Sequence, residues 1–383
     1  MNIRYLLHNA YGIGGTIRTV FNQASALCEH HDVEIASVYR SGDAPQLPLD
    51  PRVRLVSLTD LHDNGTRRGP GPRRVWRKAR MFRNPLPHGR DFRYRRWDPM
   101  VDLTVIRYMW AQRDGVLITT RPALNLLAAW AGPRRLIRIG QDHMNFGSYR
   151  PRLQDAIKRA YPRLDAVTVL TRADLASYRE ALGERVRLVR IPNGIPVRPL
   201  VPGKERAPVV AAAGRLTRQK GFDLLVEAFA PVHAAHPGWE LHIFGEGRWR
   251  PKLTARIAEL GLEGSVRLRG LSRDLDGEFA KASVFALSSR REGLPMVLLE
   301  AMSAGLPVAA FDCPTGPADV VEDGVNGVLV PAEDVAGMAA GLKRLIENGS
   351  EREKMARAAR ETGERYAMPV VAEQWERLLR DLS

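Results

Sequence analysis

Two glutamates in the pattern Glu-x7-Glu, Glu292 and Glu300, are the residues whose types and spacing most clearly suggest chemistry. A strand-like run, 284–289, precedes the pair, and a helical run, 296–302, contains the second glutamate. We therefore expect the first carboxylate on the loop at the carboxyl end of a strand, with the second facing the same crevice from the next helix. In open α/β sheets this crevice is where ligands bind. Pro295 suits the first turn of that helix, where its missing N–H costs nothing.

The start of this helix also offers a candidate anion site. Amides at the start of a helix have no acceptors within it, and the helix dipole favours negative charge there. The amides concerned belong to Gly293, Leu294, Met296 and Val297. Two carboxylates beside such a site can bind the hydroxyls of a sugar that carries a phosphate. The alternative is a solvated pair of glutamates on an amphipathic helix.

A second segment, with a strand–loop–helix pattern, carries two cations. Its loop is flanked by Gly214 and Gly221 and contains Arg215 and Lys220. Arginine offers paired donors and lysine a mobile point charge, which together suit a diphosphate. The spacing differs from the G-x-x-x-x-G-K-[ST] pattern of a Walker loop. The alternative is an ordinary pair of surface cations in a basic protein.

Together these segments resemble the retaining glycosyltransferases of the GT-B fold, in particular the large family 4, glycosyl transferases group 1. The family signature is a G-R-L-x-x-x-K-G loop, a glycine-rich strand end, and E-x7-E. Here these are residues 214–221, Phe244-Gly245-Glu246-Gly247, and the glutamate pair. Two further sequence features of the family are present, namely Asn193-Gly194-Ile195 and Gly14-Gly15. The order and spacing hold over roughly residues 190–330, whereas the N-terminal half matches only in organisation.

The resemblance and the alternation of predicted strands with helices indicate the same fold class. We expect an α/β protein of the GT-B type, with two doubly wound parallel-sheet, Rossmann-like domains that face a cleft. The predicted parts are an acceptor-binding domain at 1–192, a proline-rich linker at 193–203 and a nucleotide-sugar-binding domain at 204–366. A helix within 367–383 is expected to pack back onto the first domain. The predicted strands are 3–8, 32–39, 53–58, 115–119, 135–141, 166–170, 209–213, 240–244, 265–269, 284–288, 307–311 and 328–331.

The resemblance implies a nucleotide-diphospho-sugar as donor and assigns roles to residues of this chain. Arg215, Lys220 and the helix start near Met296 would stabilise the leaving diphosphate. Glu292 would bind hydroxyls of the sugar, and Glu300 would bind the ribose diol. The rest of the implied donor site comprises Gly14, Gly15, Gly214, Gly245, Gly270, Leu271, Gly293, Leu294 and Val297, with Gly15 nearest to the phosphates.

Three residues of the N-terminal half complete the implied site. His143 follows a predicted strand, in the placement of a family histidine that contacts the transferred sugar, and joins Arg215, Lys220 and Glu292 as a catalytic candidate. Asp142 beside it, and Arg121 at the end of a neighbouring strand, are candidate acceptor contacts. For each, the alternative is a packed or exposed residue without a ligand.

The implied reaction retains the configuration of the sugar. The acceptor hydroxyl attacks on the face from which the diphosphate departs, and a leaving phosphate oxygen serves as base; double displacement through Glu292 is the weaker alternative. We expect a UDP-sugar donor, no metal and no bound cofactor, with domain closure excluding water. Pro295 stands where many family members have glycine, which removes one amide contact to the sugar.

Two other classes of function fit parts of the pattern. A nucleotide-sugar epimerase of GT-B fold would use the same diphosphate site, although the additional acid–base groups that it needs are not evident. A basic polyanion- or membrane-surface-binding protein without transferase activity would explain the net charge of +15. It would not explain the order of the motifs. Cys28 and Cys313 lack the spacing of metal ligands.

The stretch from Arg67 to Trp97 interrupts the alternation with interleaved basic and aromatic residues. A membrane surface, an anionic acceptor polymer, RNA and a solvated loop each suit this composition. Its place in the acceptor half disfavours specific nucleic-acid binding. Two kinds of acceptor fit the sequence. One is an anionic bacterial surface polymer or lipid-linked glycan, and the other is a small molecule. We expect a cytoplasmic protein, with peripheral contact to the inner face of the membrane as an open option.

Overall fold

The computed structural model describes residues 1–60, 99–197 and 206–383. These residues form two compact units, one made of Met1–Gly194 with Met368–Ser383, and the other of Ile195–Ala367. The second unit begins inside the predicted linker. The stretch from Arg67 to Trp97 and residues 198–203 of the predicted linker lie outside the described residues.

The first unit contains a seven-stranded parallel sheet in the order β3-β2-β1-β4-β5-β6-β7. Its strands are β1 (Asn2–Asn9), β2 (Asp32–Arg40), β3 (Arg54–Asp60), β4 (Val116–Thr119), β5 (Ile137–Gln141), β6 (Ala166–Val169) and β7 (Arg187–Arg190). The connecting helices are α1 (Gly15–Leu27), α2 (Pro99–Ala111), α3 (Pro122–Ala131), α4 (Pro151–Ala160) and α5 (Arg172–Leu182).

Both faces of this sheet are covered by apolar clusters, as expected for parallel strands. Leu6 of β1 belongs to one cluster, whereas its neighbours Tyr5 and Leu7 belong to the other. The central strands therefore have nearly continuous apolar sequences. The edge strand β7 is different, because its sequence Arg-Leu-Val-Arg begins and ends with a charge. This strand was missed in the sequence because it lacks a continuous apolar run.

The second unit contains a six-stranded parallel sheet in the order β10-β9-β8-β11-β12-β13. Its strands are β8 (Val209–Ala213), β9 (Glu240–Phe244), β10 (Val266–Gly270), β11 (Val284–Leu287), β12 (Val308–Asp312) and β13 (Gly327–Pro331). The helices are α6 (Phe222–Ala235), α7 (Arg250–Glu259), α8 (Leu275–Lys281), α9 (Met296–Ser303), α10 (Pro317–Val320), α11 (Val335–Glu347) and α12 (Gly349–Arg365).

The last helix, α13 (Met368–Leu382), returns to the first unit. It packs beside α1 in the cluster that covers one face of the seven-stranded sheet. Its Trp375 is fully buried there. The segment therefore completes the core of the first unit. Among the described residues, no helix is long and apolar enough to cross a membrane.

Each sheet has a switch point, which is the place where the chain stops adding strands at one edge of the sheet and begins to add them at the other edge. In the first unit this point lies between β1 and β4, and in the second it lies between β8 and β11. The loops that leave the carboxyl ends of two such strands run apart and leave a crevice between them, which is the usual ligand site of open α/β sheets. The predicted site residues of each unit are gathered at or beside this point.

Candidate active site

In the second unit, the loop after β8 and the loop after β11 meet through an ion pair. The former, residues 214–221, is called the cationic loop below. The Lys220 ammonium donates to a Glu292 carboxylate oxygen at 2.5 Å, and the Ser289 hydroxyl donates to the same oxygen at 2.6 Å. Only 17% of the Lys220 side chain and 9% of the Glu292 side chain are exposed. Two predicted catalytic residues thus contact each other directly.

Arg290 fastens these two loops together. Its guanidinium pairs with both carboxylate oxygens of Asp223, at 2.8 and 2.9 Å, and with Glu333 at 2.9 Å. It also donates to the Arg218 carbonyl at 2.8 Å, while the Arg290 amide donates to the Gln219 carbonyl at 2.8 Å. Hydrogen bonding to Asp223 raises the pKa of Arg290 above its ordinary value. The cationic loop is therefore held at its backbone, not only through its lysine.

Three predicted donor-site glycines lie at the carboxyl ends of β8, β9 and β10. The Gly214 amide donates to the Phe244 carbonyl at 2.9 Å, and the Gly245 amide donates to the Gly270 carbonyl at 2.7 Å. Gly245 has a φ of 138°, and a Cβ at this position would lie 2.0 Å from the Gly214 carbonyl oxygen. A side chain would separate the strand ends. Close backbone packing therefore requires glycine at this position. Beside these strand ends, the predicted site residues Arg215 and Leu271 are exposed.

Helix α9 begins at Met296, and Pro295 is its N-cap residue, one position before the predicted first turn. The Pro295 carbonyl accepts from the Leu298 amide at 3.1 Å. Gly293 and Leu294 precede the cap, and Val297 lies in the first turn. Glu300, in the second turn, is buried. The predicted anion site and the second carboxylate of the pair thus belong to one short helix.

The turn after β12 supports the Glu292 loop from another side. The Thr315 hydroxyl donates to the Glu292 carbonyl at 3.0 Å. Cys313 is buried in the same turn, and burial together with the charge of Glu292 raises the pKa of its thiol to about 12. A thiol with this pKa is protonated at neutral pH, so Cys313 is not a candidate nucleophile.

In the first unit, Gly14 and Gly15 lie at the start of α1. Gly14 is the N-cap residue in an extended conformation, and the first turn contains no acidic residue. No atom would lie within 4 Å of a Cβ at either glycine. The helix start therefore has room for an anion beside its amides. The implied contact with donor phosphates stays a prediction.

His143 follows β5 at the same edge of the first sheet. The residue as a whole is half-buried, and its Nε2 atom is buried and has no hydrogen-bond partner in the described part of the chain. Burial, and then the charge of Arg121, lower the pKa of His143 to about 3. The imidazole is therefore neutral at physiological pH. A buried polar atom without a partner is costly, which is what a group that awaits a ligand would show.

Asp142, a predicted acceptor contact, is engaged within the fold, and the acceptor contact stays a prediction. Its carboxylate is buried and accepts hydrogen bonds from the hydroxyls of Tyr149, Tyr161 and Tyr178, the second at 3.3 Å. Burial raises the pKa of this carboxyl, although the tyrosine donors oppose that shift. The side chain thus ties the end of β5 to α5 and to the segments flanking α4, and it fixes the backbone that carries His143.

Residues 200–362 match the family described as glycosyl transferases group 1. The second unit belongs to this family. The solved structures add the fold of the whole chain. The crystal structure of a TarM variant from S. aureus, in complex with fondaparinux, alpha-GlcNAc-glycerol and UDP, aligns with a TM-score of 0.80 and 16% identity over 99% of each chain. The two parallel-sheet α/β units are therefore those of the GT-B fold, and the predicted fold class is confirmed.

Two curated relatives differ in what they are named for. Over 400 residues the chain is 35% identical to the exopolysaccharide phosphotransferase of Streptomyces coelicolor, a match that covers 100% of this chain and 41% of that protein. Over 244 residues it is 30% identical to a GDP-mannose-dependent alpha-(1-6)-phosphatidylinositol monomannoside mannosyltransferase of Mycolicibacterium smegmatis, covering 58% and 64% of the two chains. The chain thus spans less than half the length of the first relative.

Within the group 1 glycosyltransferase unit, Arg290 is the site residue that sequence reasoning missed. It is followed by a second arginine, Arg291, and two residues later by Glu292, so adjacent charges gave no reason to single it out. The only available signal was its position on the loop at the end of β11. Its partners Asp223 and Glu333 are distant in the sequence.

Replacing Arg290 with lysine should loosen the cationic loop. Lysine keeps the charge but cannot form the paired bonds to Asp223 while also donating to the Arg218 carbonyl. We expect amide hydrogen exchange in residues 217–221 to become about tenfold faster, because local opening then costs roughly 1.4 kcal/mol less. Arg291→Lys, at the exposed neighbouring position, is the matched control. Equal exchange rates in the two variants would show that Arg290 does not hold the loop.

Proposed function

We propose that this chain transfers a sugar from a nucleotide-diphospho-sugar to an acceptor hydroxyl. The observation that carries the proposal is the nearly buried pair of Lys220 and Glu292 at the switch point of the second sheet, beside the start of α9. A cation, a carboxylate and helix amides in one small region suit the diphosphate oxygens and the sugar hydroxyls of such a donor. Membership of the second unit in the group 1 glycosyltransferases supports the same reaction.

The main chemical requirement of this reaction is stabilisation of the negative charge that develops on the leaving diphosphate. Arg215, Lys220 and the first-turn amides of α9 would supply it from fixed positions, which is the largest catalytic effect in many enzymes. Glu292 would then orient the sugar through its hydroxyls. In this proposal the two cations do the work of a divalent metal, and neither a metal nor a further cofactor takes part.

We further propose that the sugar keeps its anomeric configuration. The acceptor hydroxyl would attack on the face from which the diphosphate departs, and its proton would pass to an oxygen of the leaving group. Glu292 is hydrogen bonded by Lys220 and Ser289, and such bonds reduce the nucleophilicity of a carboxylate. This disfavours double displacement through Glu292.

The donor is proposed to be a UDP-sugar, with a GDP-sugar as the competing choice. The TarM complex contains UDP, whereas the mycobacterial relative is named for GDP-mannose. The acceptor is proposed to be a surface polysaccharide or its lipid-linked precursor, because the Streptomyces relative is named for exopolysaccharide. We propose a cytoplasmic location, where nucleotide sugars are made. Peripheral membrane contact through the stretch from Arg67 to Trp97 stays a prediction outside the described residues.

A phosphotransferase is the second candidate, because the relative matched over the whole chain is named for that reaction. The two reactions cleave different bonds. Sugar transfer breaks the bond between the anomeric carbon and oxygen and releases a nucleoside diphosphate. Sugar-phosphate transfer breaks the diphosphate itself and releases a nucleoside monophosphate. Identification of the released nucleotide therefore separates the two candidates.

Thermal unfolding of the full chain with UDP and with GDP, each with and without Mg²⁺, tests the donor site. A ligand at a hundredfold above its dissociation constant stabilises a protein by about 2.7 kcal/mol. We expect a metal-independent shift with UDP that Arg215→Ala abolishes and that Arg218→Ala, at another exposed arginine of the same loop, preserves. Incubation with UDP-sugars should then release UDP. Release of UMP would favour the phosphotransferase, and no stabilisation by any nucleotide would overturn both candidates.

A further inference from the structure

Three basic side chains converge at the switch point of the first sheet. His8 lies in β1 near its carboxyl end, Arg121 follows β4, and His143 follows β5. These strands are adjacent, in the order β1-β4-β5. The sequence predicts a sugar contact for His143 and an acceptor contact for Arg121, but it gives no role to His8 and does not say which group of the acceptor is bound.

The register of the strands brings these positions close together. Leu6 pairs with Thr119, and Thr119 pairs with Gly140. His8 and Arg121 each lie two residues beyond the first of these pairs, and neighbouring strands are about 4.8 Å apart. The Thr120 hydroxyl donates to the Leu6 carbonyl at 3.1 Å, so β1 and β4 stay together up to this end. The three side chains therefore form one cluster, in which Arg121 carries the positive charge at neutral pH.

The positive charge of the cluster is that of the Arg121 guanidinium. Burial, and then the charge of Arg121, lower the pKa of His8 to about 3, just as they do for His143. Within the described part of the chain no carboxylate forms an ion pair with Arg121. Asp142, the acidic neighbour of His143 in sequence, is occupied by three tyrosine hydroxyls. Among the residues that the structure describes, no acidic side chain balances the guanidinium, and a bound anion would do so.

Two further features point to an anion at this place. The buried Nε2 atom of His143 has no partner among the described residues, so one donor or acceptor site of the cluster is unused. Arg121 is also the N-cap residue of α3, a ten-residue helix whose first turn contains no acidic residue. The dipole of α3 therefore adds positive potential beside the guanidinium.

We propose that His8, Arg121 and His143 bind a phosphate group carried by the acceptor. A guanidinium, two imidazoles and a helix start offer donors from several directions, which suits a tetrahedral phosphate better than a planar carboxylate. The donor diphosphate is assigned to Arg215, Lys220 and α9, with a predicted contact at Gly14 and Gly15, and none of these residues belongs to the cluster. We therefore assign the phosphate at the cluster to the acceptor. This assignment rests on the proposed function, whereas anion binding at the cluster does not.

Histidine imidazole NMR spectra of the full-length chain test this site directly. Inorganic phosphate and glycerol 3-phosphate should shift the signals of His8 and His143 saturably, at constant ionic strength, whereas glycerol should not. His31 and His236, which pair with Glu376 and Glu347, serve as internal controls and should not move. Arg121→Gln should weaken binding by about tenfold, the effect of losing a charged hydrogen bond. Arg113→Gln, at an exposed arginine of the same unit, should have no effect.

The outcomes separate this proposal from the proposed function. Retention of the UDP thermal shift in Arg121→Gln would show that the variant folds and that the donor site is separate. If Arg121→Gln does not fold, His8→Gln provides the same comparison. Absence of a saturable shift, or a shift that survives in the Arg121 variant, would overturn the site. Displacement of phosphate by UDP, with the same imidazole shifts, would assign the cluster to the donor and overturn the acceptor assignment.

Discussion

Replacing Lys220 with methionine should lower kcat/KM for sugar transfer by roughly a thousandfold. Losses of this size are common when an enzyme loses a fixed positive charge beside the negative charge that develops in the transition state, here on the leaving diphosphate. Two effects combine in this variant. The leaving diphosphate loses a cation, and the Glu292 carboxylate, only 9% exposed, is left without the ammonium that now compensates its charge. Breaking a buried pair in this way also costs about 3 kcal/mol of folding free energy. Steady-state kinetics and urea unfolding measure the two effects separately.

The double variant Lys220→Met with Glu292→Gln separates catalysis from stability. It removes both charges of the pair, so we expect most of the lost free energy of unfolding to return while activity stays low. Lys354→Met, at an exposed lysine of the same unit, is the control for loss of charge alone. If Lys220→Met kept its kcat/KM, the pair would be structural and the proposed reaction would lose its main support.

Replacing Gly316 with alanine should displace the loop that carries Glu292. Gly316 has a φ of 100°, and a Cβ there would lie 1.7 Å from the Gly293 carbonyl oxygen. The preceding Thr315, with a φ of 58°, donates to the Glu292 carbonyl, so the turn cannot move without moving that residue. We expect a loss of roughly 3 kcal/mol of folding free energy, from a strained backbone and an overpacked contact. UDP stabilisation should be lost in parallel.

Two other glycines of the second unit serve as matched controls for this variant. Gly261 has a φ of 66° but no atom within 4 Å of its would-be Cβ, so Gly261→Ala tests backbone strain alone. Its expected cost is about 1 kcal/mol. Gly264→Ala has neither strain nor a contact and should be close to neutral. Equal losses for Gly316→Ala and Gly261→Ala would mean that the Gly293 contact does not constrain the loop.

The fold class could be predicted because its signals are local. Apolar runs such as that of β8, Val209–Ala213, mark strands that are buried on both faces, and glycine or proline marks their ends. The edge strand β7 was missed for the same reason, since only one of its long sides pairs with the sheet and its ends are charged. Pro295 was placed one residue too far into its helix, because helix boundaries depend on cap geometry that the sequence does not show.

The sequence by itself determined which groups stand at the ends of which strands: the cationic loop, the Glu292 and Glu300 pair, and His143. Only the tertiary structure decided which of them meet. Lys220 and Glu292 are 72 positions apart, and Arg290 reaches Asp223 across 67. The structure also buried Asp142 under three tyrosines, although its sequence neighbours suggested a ligand contact. Local patterns set element type, whereas side-chain partners depend on strand order and on which elements bury a group, and both are properties of the folded chain.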